Sequence, residues 1–391
     1  MVINKKESEC CGCTACVSIC PKSAINMQDD DKGFKIPIVD LEKCIDCGLC
    51  DKVCPYNKII CKKENKDVEI YAVKRKNEQD RMASQSGGAF SSIAEYVIKN
   101  NGIVFGVKSD QYNVYYTRIN NISELNCLKG SKYVQAEVRN TYSEVMNDLN
   151  KGLMVLYCGT ACHINGLISF LKLKNIKTEN LITCDLICHG VPSPKIFKEY
   201  YKYLKKKYGI ISEFNFRSKK ITGWRGSISS FKDNKNTLIS SNNYANIFYS
   251  NLELRENCYD CPYASTNRIA DITIGDFWGI EKYYKTFDDN KGCSVMILNT
   301  KKGRRIFENI KEDIVYQKFN IGECIQPNLQ HPSEKPDEYN EFWNEYMNNG
   351  FLSAVTKYCD FNDKNDFKYS IINRIKRKSK YYLKKCLKKL I

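Results

Sequence analysis

The chain has 391 residues, 21 of them cysteine, and a net charge of +16. That length allows two or three domains with a sizeable core and is too great for a small secreted disulfide scaffold. No stretch approaches the ~20 apolar residues of a membrane span. Residues 371–391 hold nine Lys/Arg and no Asp/Glu, so this tail supplies +9 and the other 370 residues +7. No nucleic-acid-binding module accompanies the charge, and no nucleic-acid partner is expected. The opening Met-Val-Ile-Asn-Lys-Lys-Glu lacks an apolar signal segment, so a cytoplasmic, reduced protein is expected.

The first features along the chain are two matching runs. One is Cys10-x2-Cys13-x2-Cys16-x3-Cys20-Pro21, the other Cys44-x2-Cys47-x2-Cys50-x3-Cys54-Pro55. This spacing wraps three thiolates around one 4Fe-4S cube and sends the fourth to a partner cube. Cluster one is therefore assigned to Cys10, Cys13, Cys16 and Cys54, and cluster two to Cys44, Cys47, Cys50 and Cys20. Structural zinc would show paired CxxC or Cys/His groups instead. Residues 1–61 read as a ferredoxin-like domain with strands at Ala24–Met27 and Phe34–Val39, turned by Asp29, Asp30, Asp31 and Gly33. Residues 62–69, rich in Lys, Glu and Asp, read as a linker.

Short apolar runs then alternate with helical patterns, as in an α/β body. Strands are expected at Ile70–Val73, Gly102–Val107, Val114–Ile119, Leu153–Tyr157 and Leu181–Ile187. Helices are expected at Gly88–Lys99, Tyr142–Leu149 and Ile164–Leu173. Pro192 and Pro194 open a helix running to Tyr208. Strands at Ser212–Phe216, Ser227–Phe231, Ile272–Gly275 and Ser294–Asn299, and a helix at Gly303–Ile310, complete the body. The domain division is 1–61, 70–180 and 181–330 as two parts of one mixed α/β body, and 331–391 as a helical basic tail. Residues 332–348 carry no clear signal.

Chemistry gathers where strands end, which is where open α/β sheets place ligands. Gln85-Ser86-Gly87-Gly88-Ala89-Phe90 leads into a helix, and small residues there let a backbone approach a pyrophosphate at the helix N-terminus. A plain turn would carry the same residues. Thiols recur at Cys158 and Cys162, Cys184 and Cys188, then Cys258 and Cys261. Buried structural Cys is common, but as a group in Gly- or Pro-rich loops they read as cluster ligands. His163 and His189 beside them are read as orienting groups.

These motifs resemble a known family. Cys158-Gly159-Thr160-Ala161-Cys162 is similar to its Gly-Thr-Pro-Cys-Gln loop, and Asp185-Leu186-Ile187-Cys188-His189-Gly190-Val191-Pro192-Ser193 to its Asp-x-x-Cys-His-Gly-x-Pro-Ser signature. Phe214-Asn215-Phe216-Arg217-Ser218-Lys219 with Gly223-Trp224 resembles its Phe-Arg-x-Lys…Gly-Trp element. Cys258-Tyr259-Asp260-Cys261-Pro262-Tyr263 and Asp271-Ile272-Thr273-Ile274-Gly275-Asp276-Phe277-Trp278-Gly279 complete the set. The family is the coenzyme F420 hydrogenase/dehydrogenase beta-subunit family of iron–sulfur flavoproteins, which includes F420-reducing subunits and chlorophyll-type pigment reductases. The resemblance spans residues ~70–330, behind the ferredoxin-like domain.

The resemblance implies FAD near Ser86, Gly87 and Gly88, with Thr160 and Asp276 added to the cofactor-binding set. It also implies a third cluster on Cys162, Cys188, Cys258 and Cys261, with Cys158 and Cys184 the less favoured thiols. The chain departs from the family loop at Ala161, where the family has Pro, and at His163, where it has Gln. A flavin would convert the single electrons of clusters into the pairs an organic acceptor takes. The expected function is an oxidoreductase relay between a ferredoxin-type donor, the clusters, FAD and a small-molecule acceptor. That acceptor is F420, a glycan precursor, a pigment or another protein. The alternative is an electron-carrier subunit docked on a hydrogenase or dehydrogenase partner. Arg217 and Lys219 are expected to hold an anionic flavin or substrate group, and His163 to act beside the acceptor. Ile372, Ile375, Ser379, Leu383, Leu387 and Leu390 recur at helical spacing among Lys and Arg. This is the pattern of a basic helix resting on the inner face of an anionic membrane, or packed on the protein's own body.

Overall fold

In a computed structural model, residues 7–57 and 68–368 are described. Most of the expected linker and the whole basic segment 371–391, with its membrane reading, lie outside the described residues. Among the described residues no helix is long and apolar enough to cross a membrane.

The N-terminal unit repeats one small device. Each Cys run opens into a five-residue helix, α1 (Ala15–Ile19) or α2 (Leu49–Val53), entered from a left-handed residue, Thr14 (φ 60) or Gly48 (φ 68). The fourth Cys caps each helix and the following Pro prevents its continuation. Between the runs, β1 (Ile25–Asp29) pairs with β2 (Lys35–Val39) in an antiparallel hairpin. Asp30 Oδ1 accepts the backbone N–H groups of Lys32 and Phe34, which fixes the turn. Gly33 lies at φ +84, and a Cβ there would stand 2.4 Å from Lys195 Cβ, because the turn packs on the start of a body helix.

The body is built on an eight-stranded mixed sheet. Its strands are β3 (Glu69–Arg75), β4 (Ile103–Asp110), β5 (Asn113–Ile119), β6 (Val155–Thr160), β7 (Leu181–Leu186), β11 (Ile272–Asp276), β12 (Ser294–Leu298) and β13 (Ile314–Phe319), in the order β13-β3-β12-β11-β7-β6-β4-β5. The central strands β4, β6, β7 and β11 run parallel, and the outer pairs are antiparallel. The parallel strands are buried on both faces, which explains their near-continuous apolar runs. The short helix α3 (Glu78–Ala83) follows β3, and Asn77 caps it by accepting from Asp80 N–H at 3.0 Å. One face of the sheet carries α4 (Ala89–Lys99) and the helix Lys301–Ile310. The other carries α5 (Thr141–Asn150) and α6 (Ala161–Leu173), and the N-terminal unit buries Ala15, Ile19 and Val53 into that same core.

A four-stranded sheet, β14-β10-β9-β8, stands beside it, formed by Ser212–Asn215 (β8), Ser229–Lys232 (β9), Leu238–Ser241 (β10) and Asp366–Lys368 (β14). With α7 (Pro194–Tyr208) it encloses an aromatic core of Phe197, Tyr200, Phe216, Phe231 and Tyr244. The expected division at residue 331 is corrected here. Residues 331–368 are body, not tail. The helices Tyr339–Asn349 and Phe351–Tyr358 bury Phe342, Trp343, Ala354 and Val355 in this core, and β14 completes the sheet. The two body segments 70–180 and 181–330 share the eight-stranded sheet.

Candidate functional site

Four thiols surround a void of about 30 Å³ in the N-terminal unit: Cys20 from the end of run one, with Cys44, Cys47 and Cys50 from run two. Across the unit, the Cys16 thiol is pushed up by burial and then by Cys10 and Cys54. Cys11 pulls the Cys13 thiol down, but burial with Cys16 and Cys54 beside it raises it overall. Thiols from the far ends of the two runs are thus brought close together. Backbone N–H groups already point at two sulfurs, Gly12 N at Cys10 Sγ (3.4 Å) and Ala24 N at Cys20 Sγ (3.3 Å). Among the described residues no three ligating groups are gathered tightly enough for one metal ion. A cube does not need that arrangement, because each thiolate takes a different iron.

A second void, also of about 30 Å³, lies inside the body. Cys162 at the start of α6, Cys188 just past β7, and Cys258 and Cys261 line it, and so does Cys11. Burial pushes the Cys188 thiol up to about 12, with Cys162 and Cys261 adding to it, and the Cys261 thiol up to about 11. Bound iron would displace those protons, since only thiolates ligate. Arg268 closes one side. Its guanidinium donates to the Tyr263 and Leu186 carbonyls (2.6 and 2.8 Å) and pairs with buried Asp185 (3.1 Å). Cys158 and Cys184 stand apart from this cage. They are opposite one another on β6 and β7 and pack into the core on the α4 face.

A larger cavity, about 370 Å³, opens at the carboxyl ends of β6, β7 and β11. Ser86, Gly88, Thr160, His163, Arg217 and Asp276 line it. Gly87 lies just behind. Its N–H donates to Ser294 Oγ (2.9 Å), and a Cβ there would come within 2.1 Å of the Val73 carbonyl. Gly88, at φ +91, turns the chain into α4 so that the helix start faces the cavity.

The two cations expected to hold an anion are both tied to protein groups. Arg217 donates to Asp276 (2.6 Å), the Gly226 carbonyl (3.0 Å) and the Trp224 carbonyl. Asp276 also accepts from Trp224 Nε1 (2.6 Å), and Trp224 stacks on Trp278 at 5.0 Å. Arg217 therefore fixes an aromatic wall. Lys219 Nζ donates to the carbonyls of Arg81, Ser86 and Lys291, tying the Ser86 loop to its neighbours from behind, and does not line the cavity.

Lys132, which carries no motif in the sequence, is a cation that does line it. Burial pushes its amine down to about 8, and Nζ donates to the Lys129 and Cys127 carbonyls (2.8 and 3.2 Å). His163 lies in the wall between cavity and cage. Burial lowers it to about 4, so it is neutral near pH 7. Its Nε2 faces the Cys11 carbonyl (3.4 Å), which can only accept, so Nε2 carries the proton and Nδ1 accepts from Tyr116 O–H (3.1 Å).

Residues 153–322 match the family described as the C terminus of the coenzyme F420 hydrogenase/dehydrogenase beta subunit, and residues 9–58 match the 4Fe-4S dicluster domain. The chain thus carries that family's C-terminal domain behind a 4Fe-4S dicluster domain. It is an iron–sulfur electron-transfer protein of that type, with a dicluster domain in front. The matched segment 153–322 contains all four cage thiols, Arg217, Lys219 and Asp276; the Ser86–Gly88 loop lies upstream of it. A chain from the F420-reducing [NiFe] hydrogenase complex of Methanosarcina barkeri is similar in structure. It has 12% identity and a TM-score of 0.44, over 74% of this chain and 90% of that one. No curated protein matches the chain.

Proposed function

We propose that this protein is an oxidoreductase that passes electrons between a ferredoxin-type donor and a small organic acceptor, through the two N-terminal clusters, a third cluster in the body cage, and FAD in the large cavity. The observation that carries the reading is a shared wall. Thr160, His163, Cys188, His189, Gly190 and Val191 line both the thiol cage and the cavity. A cluster on one side and a ring system on the other would be separated by single residues.

The chain's own groups suit both guests. The cage has four thiols in an enclosed, desolvated void, and the Cys set matches the ligand chemistry of a 4Fe-4S cube. The cavity offers the N-terminal end of an eleven-residue helix for a diphosphate and glycines that leave the backbone bare. Its wall adds the Trp278 ring, held by Trp224 and by Arg217 5.0 Å away. Lys132 puts a cation against the guest, where it would favour a ring that gains negative charge. A bound flavin supplies the exchange between one-electron and two-electron chemistry. F420, or another small molecule able to take an electron pair, enters against the same wall.

A second reading has its own support. Ile38, Leu41 and Ile45 are exposed on the N-terminal unit, and Ile45 and exposed Cys47 border the same small void. This face suits docking on a redox partner, such as a ferredoxin or a hydrogenase or dehydrogenase subunit, that holds the substrate chemistry.

Anaerobic purification with iron, sulfide and flavin counted per chain tests the first reading. About twelve irons and one flavin are expected, at four irons per cube. Cys188→Ser should lower the iron by about four, and an unchanged count removes Cys188 from the ligand set. Donor-driven reduction of F420 or viologen dye by the isolated chain separates an enzyme from a docked carrier.

A further inference from the structure

Run one contains one more thiol than its cube needs. Cys11 follows Cys10 directly and is 5% exposed. It shares a core cluster with Cys13, and Cys162 packs against the same cluster. It also lines the small void with Cys162, Cys188, Cys258 and Cys261. Body residues hold it there. Gln135 Nε2 donates to the Cys11 carbonyl at 3.2 Å, and Arg255 donates to the Cys10 carbonyl at 2.6 Å and to Gln135 Oε1 at 3.1 Å. Gly12, at φ +68, lets the loop pass so close that a Cβ would stand 2.6 Å from Gln135 Nε2.

We propose that Cys11 is the bridge between the N-terminal clusters and the body cage, an unligated thiol packed between a run-one ligand, Cys13, and a cage ligand, Cys162. The inference rests on the body cluster proposed above. Four thiols already suffice for cluster one and four for the cage, so Cys11 is left unligated. A thiol placed there can donate a hydrogen bond to a ligand sulfur, and such bonds, together with exclusion of solvent, set cluster potentials. It also fills the gap between the two ligand sets with polarizable sulfur. In the transfer step one electron leaves the cluster on the Cys13 side and one arrives on the Cys162 side. No bond forms or breaks. The reductant is the ferredoxin-type donor.

The test uses the full chain, purified anaerobically, as wild type, Cys11→Ala and Cys11→Ser. In Cys11→Ala, iron should stay at about twelve per chain, at four per cube. Its body cluster should titrate at a more negative potential when followed by electron paramagnetic resonance. Bleaching of bound flavin by reduced ferredoxin should slow severalfold. Cys11→Ser keeps a donor and the side-chain size, so its potential should fall between the other two, and it serves as the readout if the Ala variant does not fold. Unchanged potential and bleaching rate overturn the proposal. So does a loss of about four irons, which would make Cys11 a ligand. A wild-type count of about eight irons would instead remove the body cluster itself, and that outcome is visible without any variant.

Discussion

Gly166 shows how much of a cluster site is set by a residue that ligates nothing. It sits inside α6 with ordinary helical backbone, yet a Cβ there would lie 2.9 Å from Cys13 Sγ and 2.9 Å from Tyr142 Oη. Alanine is the better helix former by about 1 kcal/mol, so Gly166→Ala should strengthen the helix in isolation. In the protein it displaces Cys13, and about four irons per chain should be lost at one cube's worth of four. An unchanged iron count would show that the loop absorbs the methyl group. Glu253 supports a different prediction. It is buried, one oxygen accepts from Ser193 N–H at 2.9 Å, and the other has no partner among the described residues. Burial holds its carboxyl well above the usual range. The folded state therefore keeps the proton where the unfolded chain releases it, and stability falls as pH rises above about 4.5, where an unfolded Glu ionises. Glu253→Gln should flatten that slope and raise stability at pH 8 by roughly 1–3 kcal/mol, the cost of an unsatisfied buried group. Thermal melting at pH 5 and pH 8 reads it. At this scale the gathering of the eight N-terminal thiols was legible because their spacing is local. The partners of Arg217 and Lys219 were not, because Asp276 and the carbonyls of Arg81, Ser86 and Lys291 that engage them lie tens of residues away or more.

The elements that form the cavity were largely readable, since β6, β7 and β11 are apolar runs that end in polar or small residues. The misses have physical reasons. Strand β13 buries only its two ends, Ile314 and Phe319, and presents Val-Tyr-Gln-Lys to solvent, so neither period stands out. Strand β14 is three residues long and exists only through pairing with β10. The helix Tyr339–Asn349 did carry a signal. Tyr339, Phe342, Trp343 and Tyr346 follow i, i+3, i+4, i+7 and are its buried face, but Glu and Asn between them masked the stripe. The start of α4 yields a test. Gly88 holds φ +91, a region that strains any residue with a Cβ, and Arg75 Cβ would stand 3.0 Å from one. Gly88→Ala should tilt the helix start away from the cavity. Flavin per chain should then drop severalfold while iron stays constant, since no thiol depends on this turn. Equal loss of both would mean general unfolding.

At the scale of the whole molecule, the two cluster sites of the N-terminal unit differ in access. Cys13 and Cys16 face the body, whose residues Tyr142, Leu167 and Tyr263 share their core. Cys47 is exposed, and Leu41 (69%) and Ile45 (57%) are among the most exposed large apolar side chains of the described residues. The seating of the N-terminal unit on the body could not be read from sequence, because it rests on contacts such as Arg255 to Cys10 and Asn257 to Tyr56, about 200 residues or more apart. On the proposed function, the asymmetry orders the electron path in space: partner protein, run-two thiols, run-one thiols, cage, cavity. It also separates two ways of reducing the protein. A small dye such as reduced viologen can reach an exposed cluster without docking, whereas a protein donor must cover the apolar face. Placing carboxylates on that face, as Leu41→Glu with Ile45→Glu, removes apolar area from the contact and repels an acidic ferredoxin-type donor. Reduction by ferredoxin should fall at least tenfold, equivalent to about 1.4 kcal/mol of lost docking energy, and reduction by viologen should be unaltered. Raising ionic strength should restore part of the ferredoxin rate, because the repulsive part of the effect is screened while the lost burial is not. Stopped-flow absorbance with the two donors at low and high salt checks this. Equal losses with both donors would place the damage in the clusters and not in docking.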